Sequence, residues 1–246
     1  METGPGMVKP NGYVLWRGPS RLDGAPIVVI VTGCGPRPSD NPKTGPMLQT
    51  YILREDVPPM DAVRSGQDES ICGECPFRAQ WADGKRRFRS CYVRMPNGPR
   101  SVWAAFSRGM YPEADDVAAI GAGRAVRIGA YGDPGAVPTD VWRRLTRHAR
   151  SWTGYSHQWR RRRSLRPLVM ASTENEAGTR LAWSRGWRTF RARPAGAPLL
   201  RGEIDCPSSS GVQCADCRLC AGTSKRAAHV SIEVHGSGAR HMPLER

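Results

Sequence analysis

The sequence predicts an α/β fold in which repeated βα units build a largely parallel sheet, either open or curved into part of a barrel. Cys-rich metal-binding segments are expected to attach to it. Two observations predict this fold: short apolar runs alternate with amphipathic segments, and most of the eight cysteines fall in two groups, at 72–91 and 206–220. A chain of 246 residues is long enough for one large α/β domain.

The predicted strands begin with the continuous β-branched run Pro26–Thr32, which is typical of a buried strand. A clear βα rhythm follows residue 125, with a strand at 125–131 and a helix that begins near Thr139. Thr173 and Glu176 form a capping-box pattern for a later helix that stops at Gly186. Further strands are predicted at 47–53, 89–94, 152–156, 167–171, 187–193 and 229–234, and further helices at 101–109 and 113–120.

The domain organisation follows from composition. Residues 1–24 are rich in Gly and Pro and are expected to be flexible. Residues 25–200 form the α/β domain with the first cysteine group, and residues 201–236 form a Cys-rich segment packed on it. The tail at 237–246 is expected to be disordered.

The chain is strongly basic, with a net charge of +15, and 33 of its 37 basic residues are arginines. Such a charge indicates a polyanionic partner such as nucleic acid, although a basic solvated surface explains the same composition. No apolar run is long enough to span a bilayer, and no secretory leader is visible, so no membrane partner is expected. Eight cysteines without a leader favour a reducing, cytoplasmic location and metal ligation over disulfides.

The first cysteine group contains Cys72 and Cys75 at the two-residue spacing of a metal knuckle, followed by Cys91. Three thiolates can hold an iron–sulfur cluster that keeps one open position. They can also belong to a structural zinc site whose fourth ligand is Cys34 or a histidine. The sequence leaves both possibilities open.

The second group places four thiols within fifteen residues, which indicates a complete metal site: Cys206, Cys214, Cys217 and Cys220. The tight CxxCxxC spacing favours an iron–sulfur cluster, with zinc as the alternative.

Polar residues follow the carboxyl ends of the predicted parallel strands, where α/β folds place their sites. Asp133, His157 and Glu174 are the candidate catalytic residues. The candidate cofactor-binding residues are Gly129, Gly132, Asp133 and Gln158. Each has a structural alternative, such as a turn, a packed histidine or a favourable helix-dipole contact.

Several segments together resemble a family of uncharacterised phage and bacterial proteins, a domain of unknown function: Asn41-Pro-Lys-Thr-Gly45, Cys72-Gly-Glu-Cys75-Pro76, Cys91-Tyr92-Val93, Gly129-Ala-Tyr-Gly-Asp-Pro134 and Thr153-Gly-Tyr-Ser-His-Gln-Trp159. This resemblance covers residues 27–235 and implies no activity.

A more distant resemblance is to radical S-adenosylmethionine enzymes, which hold a 4Fe–4S cluster through three cysteines on a part-barrel of βα units. Cys72, Cys75 and Cys91 match in number, but their spacing is not CxxxCxxC, and Tyr92 follows the last cysteine instead of preceding it. The resemblance implies S-adenosylmethionine as a cofactor, with the Gly129 segment at its methionine end.

The sequence therefore favours an iron–sulfur protein that could be a radical-type enzyme acting on an unidentified substrate. The alternative is a non-enzymatic, zinc-stabilised protein that binds nucleic acid through its arginines. Whether the protein is an enzyme stays open.

Overall fold

The structure, a computed structural model, describes residues 9–79, 81–82, 85–86, 89–236 and 239. Its strands are β1 (Gly12–Pro19), β2 (Pro26–Thr32), β3 (Leu48–Arg54), β4 (Trp81–Ala82), β5 (Lys85–Arg86), β6 (Ala125–Tyr131), β7 (Ser151–Ser156), β8 (Met170–Thr173), β9 (Thr189–Arg193), β10 (Glu203–Asp205) and β11 (His229–Glu233). Its α-helices are α1 (Pro59–Ser65), α2 (Glu69–Cys72), α3 (Gly98–Ser107), α4 (Val117–Gly121), α5 (Thr139–Thr146), α6 (Glu176–Ser184) and α7 (Cys214–Cys217).

Nine strands form one open sheet in the order β1-β2-β3-β6-β7-β8-β9-β11-β10. The first two strand pairs are antiparallel, and every pair from β3 onward is parallel. The α/β class and the largely parallel sheet are thus confirmed, and the open form is the one observed. Because parallel strands share an orientation, the carboxyl ends of β3, β6, β7 and β8 lie along one edge.

The segment expected to be flexible contains a strand, because β1 pairs with β2 from Gly12 opposite Thr32 to Pro19 opposite Pro26. Val14 and Leu15 are buried there, and the tight turn between the strands uses a hydrogen bond from Ser20 N to Ala25 O. Because glycine and proline lie at both ends of this strand, a prediction from composition does not detect its apolar centre. Residues 1–8 lie outside the described residues.

The two faces of the sheet have different cores. On one face, Val126 and Ile128 of β6 belong to the main core, which also contains Trp142 and Leu145 of α5. On the other face, a smaller core joins Met170 and Val230 to two of the cysteines, Cys206 and Cys220. Within residues 201–236, β10 and β11 complete the same sheet.

Three local predictions differ from the structure. Residues 89–94 form no strand, since the Arg89 guanidinium instead donates to the Val93 carbonyl at 2.7 Å. The predicted capping box is wrong because Asn175, not Thr173, caps α6 by accepting from the Gly178 amide at 2.8 Å. Asp116 caps a helix of only five residues, α4, where residues 113–120 were expected. Apart from Ala239, the tail from 237 lies outside the described residues.

Candidate metal centres

The first candidate centre lies at the carboxyl edge of the parallel strands. Cys72 ends the short helix α2 in the connection after β3, while His157 directly follows β7 and Glu174 directly follows β8. The amide of Asp133, after β6, donates to the carbonyl of Ile71 at 2.6 Å and so ties the cysteine-bearing turn to this edge. The edge expected to carry the site therefore does gather these residues.

The first thiol cluster consists of Cys72, Cys75 and Cys91, which come close enough to influence one another electrostatically. The amide of Cys91 donates to the Phe77 carbonyl at 2.7 Å, which fixes Cys91 against the turn that carries Cys75. Burial raises the pKa of Cys72 well above its ordinary value, and neighbouring Cys75 and Asp68 raise it further. A positive group is needed to keep these thiols as thiolates.

His157 joins this cluster from β7. Its Nε2 lies 2.8 Å from Oε1 of Glu174, although the two groups are imperfectly aligned for a hydrogen bond. The same imidazole lies near enough to Cys75 for the two groups to interact electrostatically. Burial acts to lower the pKa of His157, but Cys75 and Glu174 outweigh it, so the pKa stands well above its ordinary value. His157 thus lies beside two other predicted site residues, Glu174 and Cys75.

Asp133 has a different role in the structure. Its Oδ1 accepts from Ser156 Oγ at 2.6 Å and from the Gly135 amide at 2.7 Å, while its Oδ2 accepts from the His157 amide at 2.7 Å. Burial raises the pKa of Asp133, and His157 acts to lower it. These hydrogen bonds hold the loops after β6 and β7 together and set the position of His157.

The remaining predicted cofactor-binding residues also shape the backbone. Gly129 and Gly132 both have positive φ, and a Cβ on Gly132 would lie 2.6 Å from Ile52 Cβ. Gln158 is buried, and its amide nitrogen lies 3.4 Å from the Cys72 carbonyl. Gln158 also packs so closely on Gly73 that a Cβ there would lie 2.4 Å from its Nε2. These residues make the close approach of the strand ends possible.

Besides the imperfectly aligned His157–Glu174 pair, two polar atoms near the first thiol cluster lack a hydrogen-bond partner within the described part of the chain. They are the Tyr131 hydroxyl and Nε of Arg89, and both are buried. Tyr131 lies in the electrostatic field of Cys72 and Cys91, and the positive charge of Arg89 acts to lower the pKa of both thiols. Buried polar atoms rarely go unpaired in a native protein, so a further group at this cluster fits the donors present.

The second thiol cluster consists of Cys206, Cys214, Cys217 and Cys220. All four line one small cavity of about 10 Å³ beneath β7 and β11. A cavity of this size has space for roughly one water molecule. Helix α7 carries the Cys214–Cys217 pair and ends at Arg218, whose φ of 56° is left-handed. Among the described residues, Arg218 is the one non-glycine residue with positive φ, and such backbone strain is concentrated at functional sites.

Arg127 lies beside the second thiol cluster. Its guanidinium carbon is 4.5 Å from the centre of the Tyr155 ring, and it interacts electrostatically with Cys214 and Cys220. No carboxylate in the described ranges forms an ion pair with Arg127. Burial raises the pKa of Cys220 to about 12, against a hydrogen bond from Tyr155 and the charge of Arg127. Arg127 therefore lies beside thiols and has no carboxylate partner within the described residues.

Cys34 lies apart from the first thiol cluster. It follows β2, which runs antiparallel to β3, so it lies at the opposite edge of the sheet from Cys72. Its amide donates to the Asn11 carbonyl at 2.9 Å, and burial raises its pKa to about 11. This topology separates Cys34 from the first thiol cluster, so Cys34 does not complete that cluster.

Within the ranges that the structure describes, no three or more His, Cys, Asp or Glu side chains are arranged so that they could hold a metal ion as they stand. The predicted metal sites are therefore proposals. No described helix has the length and apolar character needed to cross a membrane.

Sequence reasoning missed Tyr131, Arg89, Arg127 and Tyr155 as partners of the thiols. One signal was present for Arg127, since a charged residue between Val126 and Ile128 interrupts an otherwise apolar strand.

Comparisons with protein-family models, with curated proteins and with solved structures find no match for this chain.

Proposed function

We propose that the protein is an iron–sulfur enzyme whose working cluster is held by Cys72, Cys75 and Cys91. The observation that carries the proposal is the convergence of these thiols at the carboxyl edge of consecutive parallel strands, beside two buried polar atoms without partners. This edge is where α/β folds bind their ligands. Three thiolates leave a metal position that no described cysteine fills, since Cys34 lies at the other edge.

The residues around the first thiol cluster have separable roles in this proposal. The thiols hold the cluster, and the Arg89 guanidinium offsets their negative charge. Asp133 positions the backbone of His157, and the His157 side chain bridges Cys75 and Glu174. A 4Fe–4S cluster bound in this way supplies one-electron chemistry and a site for a non-protein ligand. The sequence resemblance makes S-adenosylmethionine the proposed co-substrate.

We infer that the second thiol cluster holds its own metal centre. Its support is the single cavity that four thiols share, together with Arg127 as a cation without a carboxylate partner in the described residues. Four thiolates around one divalent ion, or around a cubane, carry a net negative charge that a nearby guanidinium stabilises. This centre has a complete ligand set and needs none from the first.

Metal analysis of anaerobically purified protein tests the proposal. The expected protein is brown, contains iron and acid-labile sulfide in excess of zinc, and loses part of its visible absorbance when Cys91 is changed to Ser. Cys34→Ser is the matched control for Cys91→Ser and leaves the iron and absorbance of the first cluster unchanged, because Cys34 lies at the opposite edge of the sheet. A colourless protein that contains only zinc would refute the proposal.

One observation favours a second candidate function, a zinc-stabilised and non-enzymatic protein. His157 contacts Cys75 and is oriented by Glu174, which matches the carboxylate–histidine–metal arrangement seen around many zinc ions. Cys72, Cys75, Cys91 and His157 would then form a closed Cys₃His site. On this proposal His157→Gln abolishes zinc binding at the first cluster, whereas on the iron–sulfur proposal the same variant keeps its iron.

A further inference from the structure

A dense group of arginines lies between residues 139 and 166, which contain nine arginines and a single acidic residue, Asp140. Seven of these arginines are exposed, and five of the seven form what we call the arginine face: Arg143, Arg144, Arg147, Arg160 and Arg163. Within the described parts of the chain, none of the five is within ion-pair distance of a carboxylate. This positive charge is therefore not neutralised by the protein itself.

The arginine face is continuous across two elements. The hydroxyls of Thr139 on α5 and Ser164 after β7 lie 2.7 Å apart and join the two segments. Arg143 lies one helical turn beyond Thr139 and therefore shares its side of the helix. Arg160 is fixed by stacking over the Trp159 ring, with 4.2 Å between the guanidinium carbon and the ring centre. The face thus has a defined shape rather than being a set of independent side chains.

The arginine face also borders the first thiol cluster. Arg161, within the same loop, forms an ion pair with Glu74 at 2.9 Å, and Glu74 lies between Cys72 and Cys75 in the chain. Gln158, at the start of this loop, reaches the carbonyl of Cys72. A molecule bound along the arginines would therefore extend to the edge that carries the thiols.

We propose that the arginine face binds the phosphate backbone of a nucleic acid and presents that nucleic acid to the site at the first thiol cluster. The second half of this proposal rests on the proposed function and names its substrate class. Guanidinium groups spread over two elements match a polymer of phosphates better than one small anion, and their planar forks suit phosphate oxygens.

The surface chemistry argues against an anionic membrane as the partner. Membrane-surface elements combine basic residues with exposed apolar side chains that enter the lipid. None of the exposed large apolar residues of the described chain belongs to the segment 139–166 that carries the arginines: Tyr92, Met110, Leu181, Leu199, Ile204 and Val212. Because Trp159 is buried, base stacking on it is excluded, and binding is expected to be electrostatic and tolerant of sequence.

Fluorescence anisotropy with labelled single-stranded and duplex oligonucleotides over a salt series tests the face. Arg143→Gln/Arg163→Gln and Arg144→Gln/Arg147→Gln are each expected to reduce the slope of log affinity against log salt by about two. Arg100→Gln/Arg108→Gln is the control, because it removes equal charge from exposed positions on and beside α3. An unchanged slope in both face variants, equal losses in the control, or equal binding of phosphatidylserine vesicles would overturn the proposal.

Photocrosslinking to a bromouridine-substituted oligonucleotide tests the link to the site. Crosslinked peptides that contain residues 72–77 or 157–163 are expected, and crosslinks confined to other surfaces would overturn the substrate assignment. Neither measurement depends on the metal. An iron-free protein would refute the iron–sulfur proposal, but nucleic-acid binding by the arginine face would still be tested by these two measurements.

Discussion

The ion pair between Arg191 on β9 and Glu203 on β10 gives a quantitative prediction. Nε and Nη2 of Arg191 lie 2.8 and 2.6 Å from the two carboxylate oxygens, and the side chains are only 6% and 0% exposed. The pair reaches across β11, which lies between the two strands. Because β10 ends directly before Cys206, this pair also positions one thiol of the second thiol cluster.

Replacing Arg191 with Met is expected to cost about 3–5 kcal/mol, because it leaves the Glu203 carboxylate buried without its partner. Part of that carboxylate stays satisfied, since the Leu200 amide also donates to it at 2.8 Å. Changing Glu203 to Leu as well removes the buried charge. The loss of stability in the double variant is therefore expected to be about 2 kcal/mol smaller than the sum of the losses in the two single variants.

Equilibrium urea unfolding, followed by tryptophan fluorescence with and without chelator, measures these free energies. The control is Arg180→Met, whose partner Glu176 lies in an exposed i,i+4 pair and whose loss is expected to cost under about 1 kcal/mol. A loss below about 1 kcal/mol for Arg191→Met, or strict additivity in the double variant, would show that the pair does not stabilise this end of the sheet.

Three further results are expected. Burial and Arg188 lower the pKa of His229 in the folded protein, so the unfolded chain binds a proton first as the pH falls. The free energy of unfolding should therefore decline below about pH 6.5, and His229→Gln should remove that decline in unfolding titrations. Gly73→Ala should lower the free energy of unfolding by about 1–3 kcal/mol, since Gly73 has a φ of 57° and the new Cβ would collide with Gln158. Gly109→Ala should cost less, because Gly109 has a similar φ of 71° but open space around it, and equal losses would contradict the packing argument. Cys217→Ser should release metal from the second cluster alone, as elemental analysis would show; unchanged metal content would exclude that centre.

The sequence was sufficient for the elements whose side chains alone determine their structure. The β-branched run of β2 and the apolar strand β6 form as predicted, with matching bounds. The three-residue strand β10 could not be found in this way, because its pairing with β11 supplies the order that its own side chains do not. Strand β1 was missed since glycine and proline flank its apolar centre.

The candidate site was only partly predictable for a related reason. The spacing of Cys72 and Cys75 is local, and the sequence displays it directly. The contact between Cys75 and His157 joins residues more than eighty positions apart, and it depends on which strand lies beside which. Strand order is a property of the folded sheet, so the sequence could place His157 at a strand end but could not pair it with Cys75.

The strand order follows the order of the chain from β1 to β9, apart from the separate β4–β5 pair. Each new strand can therefore add to the growing edge as it leaves the ribosome, with no wait for a later segment. The exception is the end, where β11 inserts between β9 and the earlier β10. The carboxyl edge with its first three thiols can form during synthesis, whereas the second thiol cluster forms only after the last strand has been inserted.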